Sequence, residues 1–278
     1  MISLKSTKIA LIGGSGFIGQ HMFKTITKES GRGLIIDKNN VDLTHESCIK
    51  VLNKILASHN IDTVVCLAAI KRQDGDSKEI LRDNNKITMN TCRALEEASC
   101  KVVYFSSCAV YGEKNEQLEI DENYDMRPTS YYGEHKVFSE KNYLEHIDNN
   151  RLLIIRPPLI YGWQQKEGYH PGGFMESAKT FNKICLWGDG KEKREFIHVE
   201  DAAEITKSLI RNKCYGKVNM VSGRSYSYRS IAENIQEKTN CMIIERERTG
   251  SAVNHSYINK KLEEMIGYYK FRQPFTNR

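Results

Sequence analysis

The stretch KIALIGGSGFIG, residues 8–19, decides the fold of this chain. Residues 8–12 have the apolar run of a strand buried in a parallel sheet. The glycine spacing G-x-x-G-x-x-G over 13–19 follows, and a helical pattern continues to about Thr27. Glycines in a strand-to-helix turn let the backbone approach a pyrophosphate, which the helix N-terminus then faces. The predicted dinucleotide contacts here are Gly13, Gly16, Phe17, Ile18 and Gly19.

Strand and helix patterns alternate along most of the chain. Strands are predicted at 8–12, 33–37, 62–67, 101–106 and 151–156, with helices between them, for example at 46–58 and 78–99. This alternation predicts an α/β fold, a Rossmann-type doubly wound parallel sheet with a smaller C-terminal substrate-binding lobe. We expect a nucleotide-binding domain over 1–160, to which 197–222 returns, and the lobe over 161–278. Within the lobe, we expect a polar loop over 164–173 and a largely helical tail from about Arg224.

The second predicted strand ends in an acidic residue, Asp37. A carboxylate at this place can accept hydrogen bonds from an adenosine ribose, which favours NAD over NADP. Lys38 is adjacent and is able to meet a 2′-phosphate instead. The sequence therefore predicts NAD or NADP as the cofactor and favours NAD.

Two further strands end in residues suited to the same site. The strand at 62–67 ends at Leu67 and is followed by Ala68 and Ala69, whose small side chains let the backbone of this segment lie against a flat cofactor. The strand at 101–106 is followed by Ser107, which parallel-sheet geometry places at the carboxyl edge, where ligands bind in this architecture. We therefore expect the cofactor and a hydroxyl group to meet there.

Tyr132 and Lys136 form a Tyr-x-x-x-Lys pair. The spacing puts both side chains on one helix face, one turn apart. An ammonium group near the phenol favours the phenolate and is expected to lower the pKa of Tyr132. A phenol adjusted in this way can transfer a proton near neutral pH.

Taken in order, these segments resemble the extended short-chain dehydrogenases/reductases, in the branch of NAD-dependent epimerases and dehydratases that act on nucleotide sugars. The resemblance runs over nearly the whole chain. Beyond the segments above, the matching segments are Asn84 with Asn90, 106–112, Arg156-Pro157, Tyr161-Gly162, 188–190, 194–201 and 218–223.

The resemblance implies a role for each site residue. Ser107 would bind the reacting sugar oxygen, Tyr132 would be the acid/base at that oxygen, and Lys136 would bind the nicotinamide ribose. The implied substrate contacts are Ser107, Cys108, Arg194 and Arg248, the two arginines being placed for a diphosphate. The resemblance also implies a homodimer and a role in making polysaccharide precursors.

Departures from the family pattern reduce the number of reactions that we expect this chain to catalyse. Dehydratases of the family place an acidic pair directly after the serine, where this chain has Cys108 and Ala109. The short connection over 37–44 resembles the sugar reductases of the family. We therefore expect NAD(P)H-dependent reduction at C4 of a nucleotide-linked 4-keto-6-deoxyhexose. The alternative is a nucleotide-sugar C4 epimerase, and a non-catalytic dinucleotide sensor is less favoured because Ser107, Tyr132 and Lys136 are all present.

Composition limits the other possibilities. The 278 residues carry 41 Lys and Arg against 35 Asp and Glu, a net charge of +6, with no basic cluster interleaved with aromatic residues. Nucleic acid is therefore not an expected partner. None of the eight cysteines forms a C-x-x-C pair, which favours free thiols in a reducing cytoplasm. The sequence predicts no metal site, and neither a membrane span nor a signal peptide is expected.

Overall fold

The structure is a computed structural model, and it describes residues 4, 7–30, 32–113, 117–162, 172–248 and 252–274. In chain order the strands are β1 (Ile9–Ile12), β2 (Gly33–Ile36), β3 (Thr63–Cys66), β4 (Lys101–Phe105), β5 (Gln117–Ile120), β6 (Leu152–Arg156), β7 (Leu159–Tyr161), β8 (Lys183–Trp187), β9 (Lys193–His198), β10 (Gly216–Asn219), β11 (Ser225–Ser227), β12 (Met242–Arg246) and β13 (His255–Tyr257). The helices are α1 (Phe17–Ser30), α2 (Cys48–His59), α3 (Lys78–Glu96), α4 (Tyr131–His146), α5 (Gly172–Phe181), α6 (Val199–Arg211), α7 (Tyr228–Thr239) and α8 (Lys260–Ile266). Short 3₁₀ helices lie at Arg72–Asp74 and Cys108–Tyr111.

Six parallel strands form the central sheet in the order β10-β6-β4-β3-β1-β2. This arrangement confirms the predicted parallel α/β fold. The order reverses at β1, because β2 lies on one side of it and β3 on the other. Ligands in open parallel sheets bind outside the carboxyl ends of the strands at such a reversal. The sheet therefore places a site where β1, β2 and β3 end.

Both faces of the sheet are covered, as a parallel sheet requires. In β1, Ile9 and Leu11 join the apolar layer that contains α1 and α6, and Ala10 and Ile12 join the layer that contains α2, α3 and α4. All four of these side chains are buried. The alternation explains why the strand is apolar at consecutive positions, since each face of the sheet meets its own helices.

The predicted strands of the central sheet and the two helices predicted between them differ from the observed elements only at their ends. The helix predicted to reach Thr27 ends at Ser30, and the one predicted over 46–58 spans Cys48–His59. The strand β10 pairs with β6 in the central sheet, and the division near residue 160 stays a prediction. Residues 163–171, where most of the polar loop was expected, lie outside the described residues. No helix in the described ranges is long and apolar enough to cross a membrane.

The tail was expected to be largely helical from about Arg224, and this prediction was wrong. Besides α7 and α8 it contains three strands, each paired with a segment from earlier in the chain. β11 pairs with β9, β12 with β8, and β13 with β5. These strands are three to five residues long, so their backbone hydrogen bonds depend on distant partners that a local pattern cannot reveal.

Candidate active site

A cavity of about 650 Å³ opens at the carboxyl ends of β1 to β4. It lies between the central sheet and the later segments that carry Arg194, Glu195, Tyr228 and His255, which are called the lobe below. Its walls include every predicted cofactor residue and the three predicted catalytic residues, together with Cys108 and Arg194. Arg248 is the exception among the predicted site residues, because it lines a neighbouring cavity. The fold thus brings together side chains from distant parts of the chain.

The glycine turn forms a close cradle at one end of the cavity. Gly13 has a φ of +82°, and a Cβ built on it would lie 2.7 Å from the backbone nitrogen of Ala68. A side chain at Gly13 would therefore meet both backbone strain and a clash. The turn leads into α1, so the helix N-terminus faces the cavity. This geometry fits a dinucleotide pyrophosphate held by backbone N–H groups.

Asp37 lies beyond the end of β2 and lines the cavity beside Lys38. Its Oδ1 accepts a hydrogen bond from the backbone N–H of Asn39 at 3.0 Å, and its own N–H donates to Asn40. The turn thus holds the carboxylate in place while leaving acceptor capacity on it. This position fits a ribose hydroxyl group.

Ser107 lies two positions after the end of β4 and caps the 3₁₀ helix Cys108–Tyr111. Its Oγ accepts a hydrogen bond from the backbone N–H of Ala109 at 3.1 Å. A hydroxyl group that accepts in this way still has its own proton to donate. Ser107 therefore both stabilises the turn and remains able to donate to a ligand oxygen in the cavity.

The start of α4 places Tyr132 in the wall of the cavity that Ser107 also lines. Ser130 caps the helix by accepting from the N–H of Gly133 at 3.1 Å. A Cβ at Gly133 would lie 2.7 Å from the carbonyl oxygen of Ala109, so only glycine allows α4 to approach the 3₁₀ helix this closely. Asp76 accepts from the N–H of Tyr132 at 2.9 Å and holds the helix end from the other side.

Lys136 is almost completely buried, with 3% of its surface exposed. Its Nζ lies 5.5 Å from the centre of the Tyr132 ring and donates to the carbonyl oxygen of Phe105 at 2.8 Å. Burial lowers the pKa of Lys136 to about 7, although Glu140 opposes this by favouring the charged form. The lowering of the Tyr132 pKa by this ammonium group stays a prediction.

Cys108 touches the cavity, but its thiol group is turned into the protein. The Sγ atom lies 3.4 Å from the carbonyl oxygen of Arg156, and the residue is buried. Burial raises the pKa of Cys108 well above its ordinary value. The thiol is therefore not placed to act as an acid or a base.

Two arginines of the lobe share one carboxylate. Arg194 lies 3.6 Å from Glu192, and Arg248 pairs with the other oxygen of Glu192 while donating to the backbone of Trp187 at 2.9 Å. Arg248 lies in a neighbouring cavity of about 340 Å³, whose aromatic walls include Trp187 and Tyr228. Tyr228 also lines the main cavity, so the two spaces share a wall.

Sequence reasoning missed several residues that line the cavity. Lys71 and Arg72 follow the Leu67-Ala68-Ala69 segment, and Arg72 pairs with Glu113 at 2.6 Å. Their charge and place after the third strand were a signal that could have identified them. His255 and Tyr257 reach the cavity from β13, which was expected to be helical.

A buried ion pair supports the sheet edge behind Ser107. The guanidinium group of Arg156 donates to both carboxylate oxygens of Glu140, at 2.8 and 2.6 Å. The hydroxyl group of Ser106 donates to the same carboxylate at 2.6 Å. Because these groups are fully buried, losing one partner would leave the other charge uncompensated.

The cradle, the edge hydroxyl group and the Tyr–Lys pair are the features that we expect of the extended short-chain dehydrogenases/reductases. A model of the "NAD dependent epimerase/dehydratase family" matches residues 9–220. The chain belongs to this family.

Individual relatives agree with the family assignment. The UDP-N-acetyl-alpha-D-glucosaminuronate decarboxylase of Bacillus cytotoxicus is 28% identical over 256 residues, covering 82% of this chain and 79% of the relative. The UDP-glucose 4-epimerase of Halalkalibacterium halodurans is 24% identical over 302 residues, covering 94% and 90%. The Helicobacter pylori ADP-L-glycero-D-manno-heptose-6-epimerase superposes with a TM-score of 0.85 at 17% identity, covering 98% of this chain and 94% of that one. This last similarity concerns the fold alone.

Proposed function

We propose that the protein is an NAD-dependent nucleotide-sugar C4 epimerase. One observation carries the proposal: Ser107, Tyr132 and Lys136 line the same cavity as the glycine cradle. Cys108 and Ala109 follow Ser107, so the carboxyl pair that a dehydratase would need at those positions is absent from the sequence. The 4-epimerase relative, which covers nearly the whole chain, supports the epimerase over the reductase that the short 37–44 connection favours.

The side chains can perform the proton transfers of such a reaction. Bound NAD would supply the redox chemistry, by accepting a hydride from the sugar carbon and returning it. Tyr132 would remove the proton from the C4 hydroxyl group and later give it back. Ser107 would donate to the same oxygen and hold it in place. Lys136 would bind the nicotinamide ribose and stabilise the phenolate of Tyr132.

The two cavities suit the two parts of a nucleotide sugar. The sugar would occupy the main cavity near Ser107 and Tyr132. Arg194, at the wall of this cavity, would bind the diphosphate, because a guanidinium group matches phosphate oxygens in charge and geometry. The nucleoside would lie in the neighbouring cavity between Trp187 and Tyr228, with Arg248 beside it.

The test uses the purified protein without added cofactor. The protein is denatured and the released dinucleotide is identified by mass, and a second sample is incubated with UDP-glucose and then analysed for UDP-galactose. Stoichiometric NAD and formation of the C4 epimer are the expected results, and a Tyr132→Phe sample is the matched inactive control. No epimer from any UDP-hexose would contradict the proposal.

The second candidate is the C4 reductase that the short 37–44 connection favours. It predicts a protein purified without dinucleotide that consumes NADH or NADPH when given a nucleotide-linked 4-keto-6-deoxyhexose. Loss of absorbance of the reduced cofactor measures this activity directly. Turnover in this assay, without epimerisation in the first, would favour the reductase.

A further inference from the structure

The ammonium group of Lys136 has a second buried partner, the phenol of Tyr104. The Nζ atom donates to the hydroxyl oxygen of Tyr104 at 3.3 Å, in addition to its bond with the carbonyl oxygen of Phe105. An ammonium group has three N–H donors. Two of them are thus directed into the protein, and the third is left for the side that faces Tyr132 and the cavity.

Tyr104 is itself fixed by packing. Its ring stacks on the ring of Tyr143, with a centroid distance of 4.3 Å and an angle of 22°. The residue is buried, with 3% of its surface exposed. Burial raises the pKa of Tyr104 well above its ordinary value, so the phenol keeps its proton.

A separate set of hydrogen bonds lies nearby, around Ser139 of α4. The Ser139 Oγ lies 2.7 Å from the hydroxyl oxygen of Thr88 in α3 and 3.2 Å from the Nδ1 of His135. Burial lowers the pKa of His135 to about 2, so its imidazole ring is neutral and able to accept at Nδ1. All of these groups lie where α3 and α4 pack together.

The direction of the bond between Lys136 and Tyr104 follows from the lysine. A charged lysine can only donate, so the Tyr104 oxygen accepts. The bond to the carbonyl oxygen of Phe105 has the same direction. Both bonds point away from the ammonium group, which is the arrangement that stabilises its positive charge.

Other groups near Lys136 act on its charge as well. The titratable side chains that face it are Tyr132, His135 and Glu140 from α4, Cys66 from β3 and Tyr104 from β4. Of these, Glu140 also favours the charged form, whereas burial opposes it. Burial raises the pKa of Cys66 to about 12, so its thiol is neutral beside Lys136. A neutral hydrogen-bond acceptor such as Tyr104 acts in a different way, because it fixes the orientation of the ammonium group.

We propose that Tyr104, held by its stack on Tyr143, is a positioning residue that turns the Lys136 ammonium group toward Tyr132 and keeps it charged. This rests on the proposed role of Tyr132 as acid/base. Tyr104 does not line the cavity, so it acts through Lys136. Without its hydroxyl group, Lys136 would keep one fewer acceptor in a dry interior and would lose its proton more readily.

The test is a titration of Tyr132 in the absence of substrate and cofactor. Phenolate formation is followed by ultraviolet absorbance, and the curve of the matching Tyr132→Phe protein is subtracted to isolate Tyr132. In Tyr104→Phe, Tyr132 should ionise at a pH higher by about one unit, since a hydrogen bond to a charged group is lost. Tyr104→Leu, which also lacks the hydroxyl group, should shift the curve in the same direction.

Tyr143→Phe is the matched control, because it removes a buried hydroxyl group from the same ring stack and should leave the curve unchanged. A curve for Tyr104→Phe that coincides with that of the unmutated protein would overturn the proposal, as would an equal shift in Tyr143→Phe. If Tyr104→Phe does not fold, Tyr104→Leu decides the result. Because no substrate is present, a failure to find epimerase activity leaves this result unaffected.

Discussion

The two sides of the cavity hold their charged groups in different ways. On the sheet side, Lys136 is 3% exposed and donates to uncharged oxygens of Phe105 and Tyr104. On the lobe side, the side chains of Arg194 and Arg248 are 14% and 24% exposed and share a carboxylate, that of Glu192. The diphosphate of the proposed substrate would compete with this carboxylate for the two arginines, whereas Lys136 would keep both of its protein acceptors when its third N–H binds the cofactor ribose.

The two ways of holding charged groups suit two different tasks of the site. A group that moves protons or steers them needs a fixed position and a dry surrounding, which helices packed on a sheet provide. A group that captures a charged ligand can be held by a neighbouring carboxylate until the ligand replaces that carboxylate. We therefore expect changes on the sheet side to affect turnover and changes on the lobe side to affect binding.

The largest expected effect comes from Tyr132→Phe. Removing the hydroxyl group should lower kcat by about 10²- to 10⁴-fold, the range typical for the loss of a general acid/base. Binding of NAD should be retained, because the ring and its contact with Lys136 remain. Steady-state kinetics and a fluorescence titration with NADH measure the two effects separately.

The control for this change is Tyr131→Phe, in the same helical turn but not in the cavity wall. It should behave like the unmutated protein. If Tyr132→Phe retained activity, Tyr132 would not be the acid/base. The expectation that the sheet side of the cavity controls turnover would then be wrong.

Glu195 differs from the two arginines of the lobe side, because only 1% of its surface is exposed. Burial raises its pKa to about 7, although the backbone N–H groups of Ser222 and Gly223 donate to it. Between pH 4.5 and 7 the folded state therefore binds a proton that the unfolded state has released. Stability falls as pH rises through this window, by about 3 kcal/mol for this group.

Glu195→Gln should remove this part of the pH dependence, because the amide keeps an acceptor for both N–H groups and cannot ionise. Urea unfolding at pH 5 and pH 8 measures the difference. Glu233→Gln, which changes an exposed carboxylate of α7, is the control and should retain the slope. The same slope in both variants would mean that Glu195 ionises normally.

The sequence predicted the sheet side far better than the lobe side. The strands, the glycine cradle, Ser107 and the Tyr–Lys pair depend on short local patterns, and the structure places all of them at one cavity. The pairing of β12 with β8 and the entry of His255 into the cavity depend on contacts between distant segments. The burial of the Cys108 thiol likewise depends on Arg156, which lies 48 positions away.

The two lobe arginines should differ from each other. Arg194→Ala should raise the KM for the nucleotide sugar by about tenfold, as expected for one lost charge-assisted hydrogen bond, with little change in kcat. Arg248→Ala should raise it less, because Arg248 lies in the neighbouring cavity. Arg246→Ala, on the exposed strand β12, is the control. A fall in kcat without a change in KM would contradict the assignment of binding to the lobe side.

The smallest expected effect concerns Asp37, a residue of the sheet side that is expected to select between NAD and NADP. Asp37→Ala should weaken NAD several-fold more than NADP, because the carboxylate is placed for a ribose hydroxyl group and repels a 2′-phosphate. Asp37→Asn keeps the acceptor for the N–H of Asn39 and removes only the charge, so it should improve NADP binding while costing NAD little. Fluorescence titration with NADH and NADPH measures all four affinities. Equal losses for both cofactors in both variants would mean that Asp37 only stabilises its own turn, and that the cavity selects its dinucleotide through other residues such as Lys38.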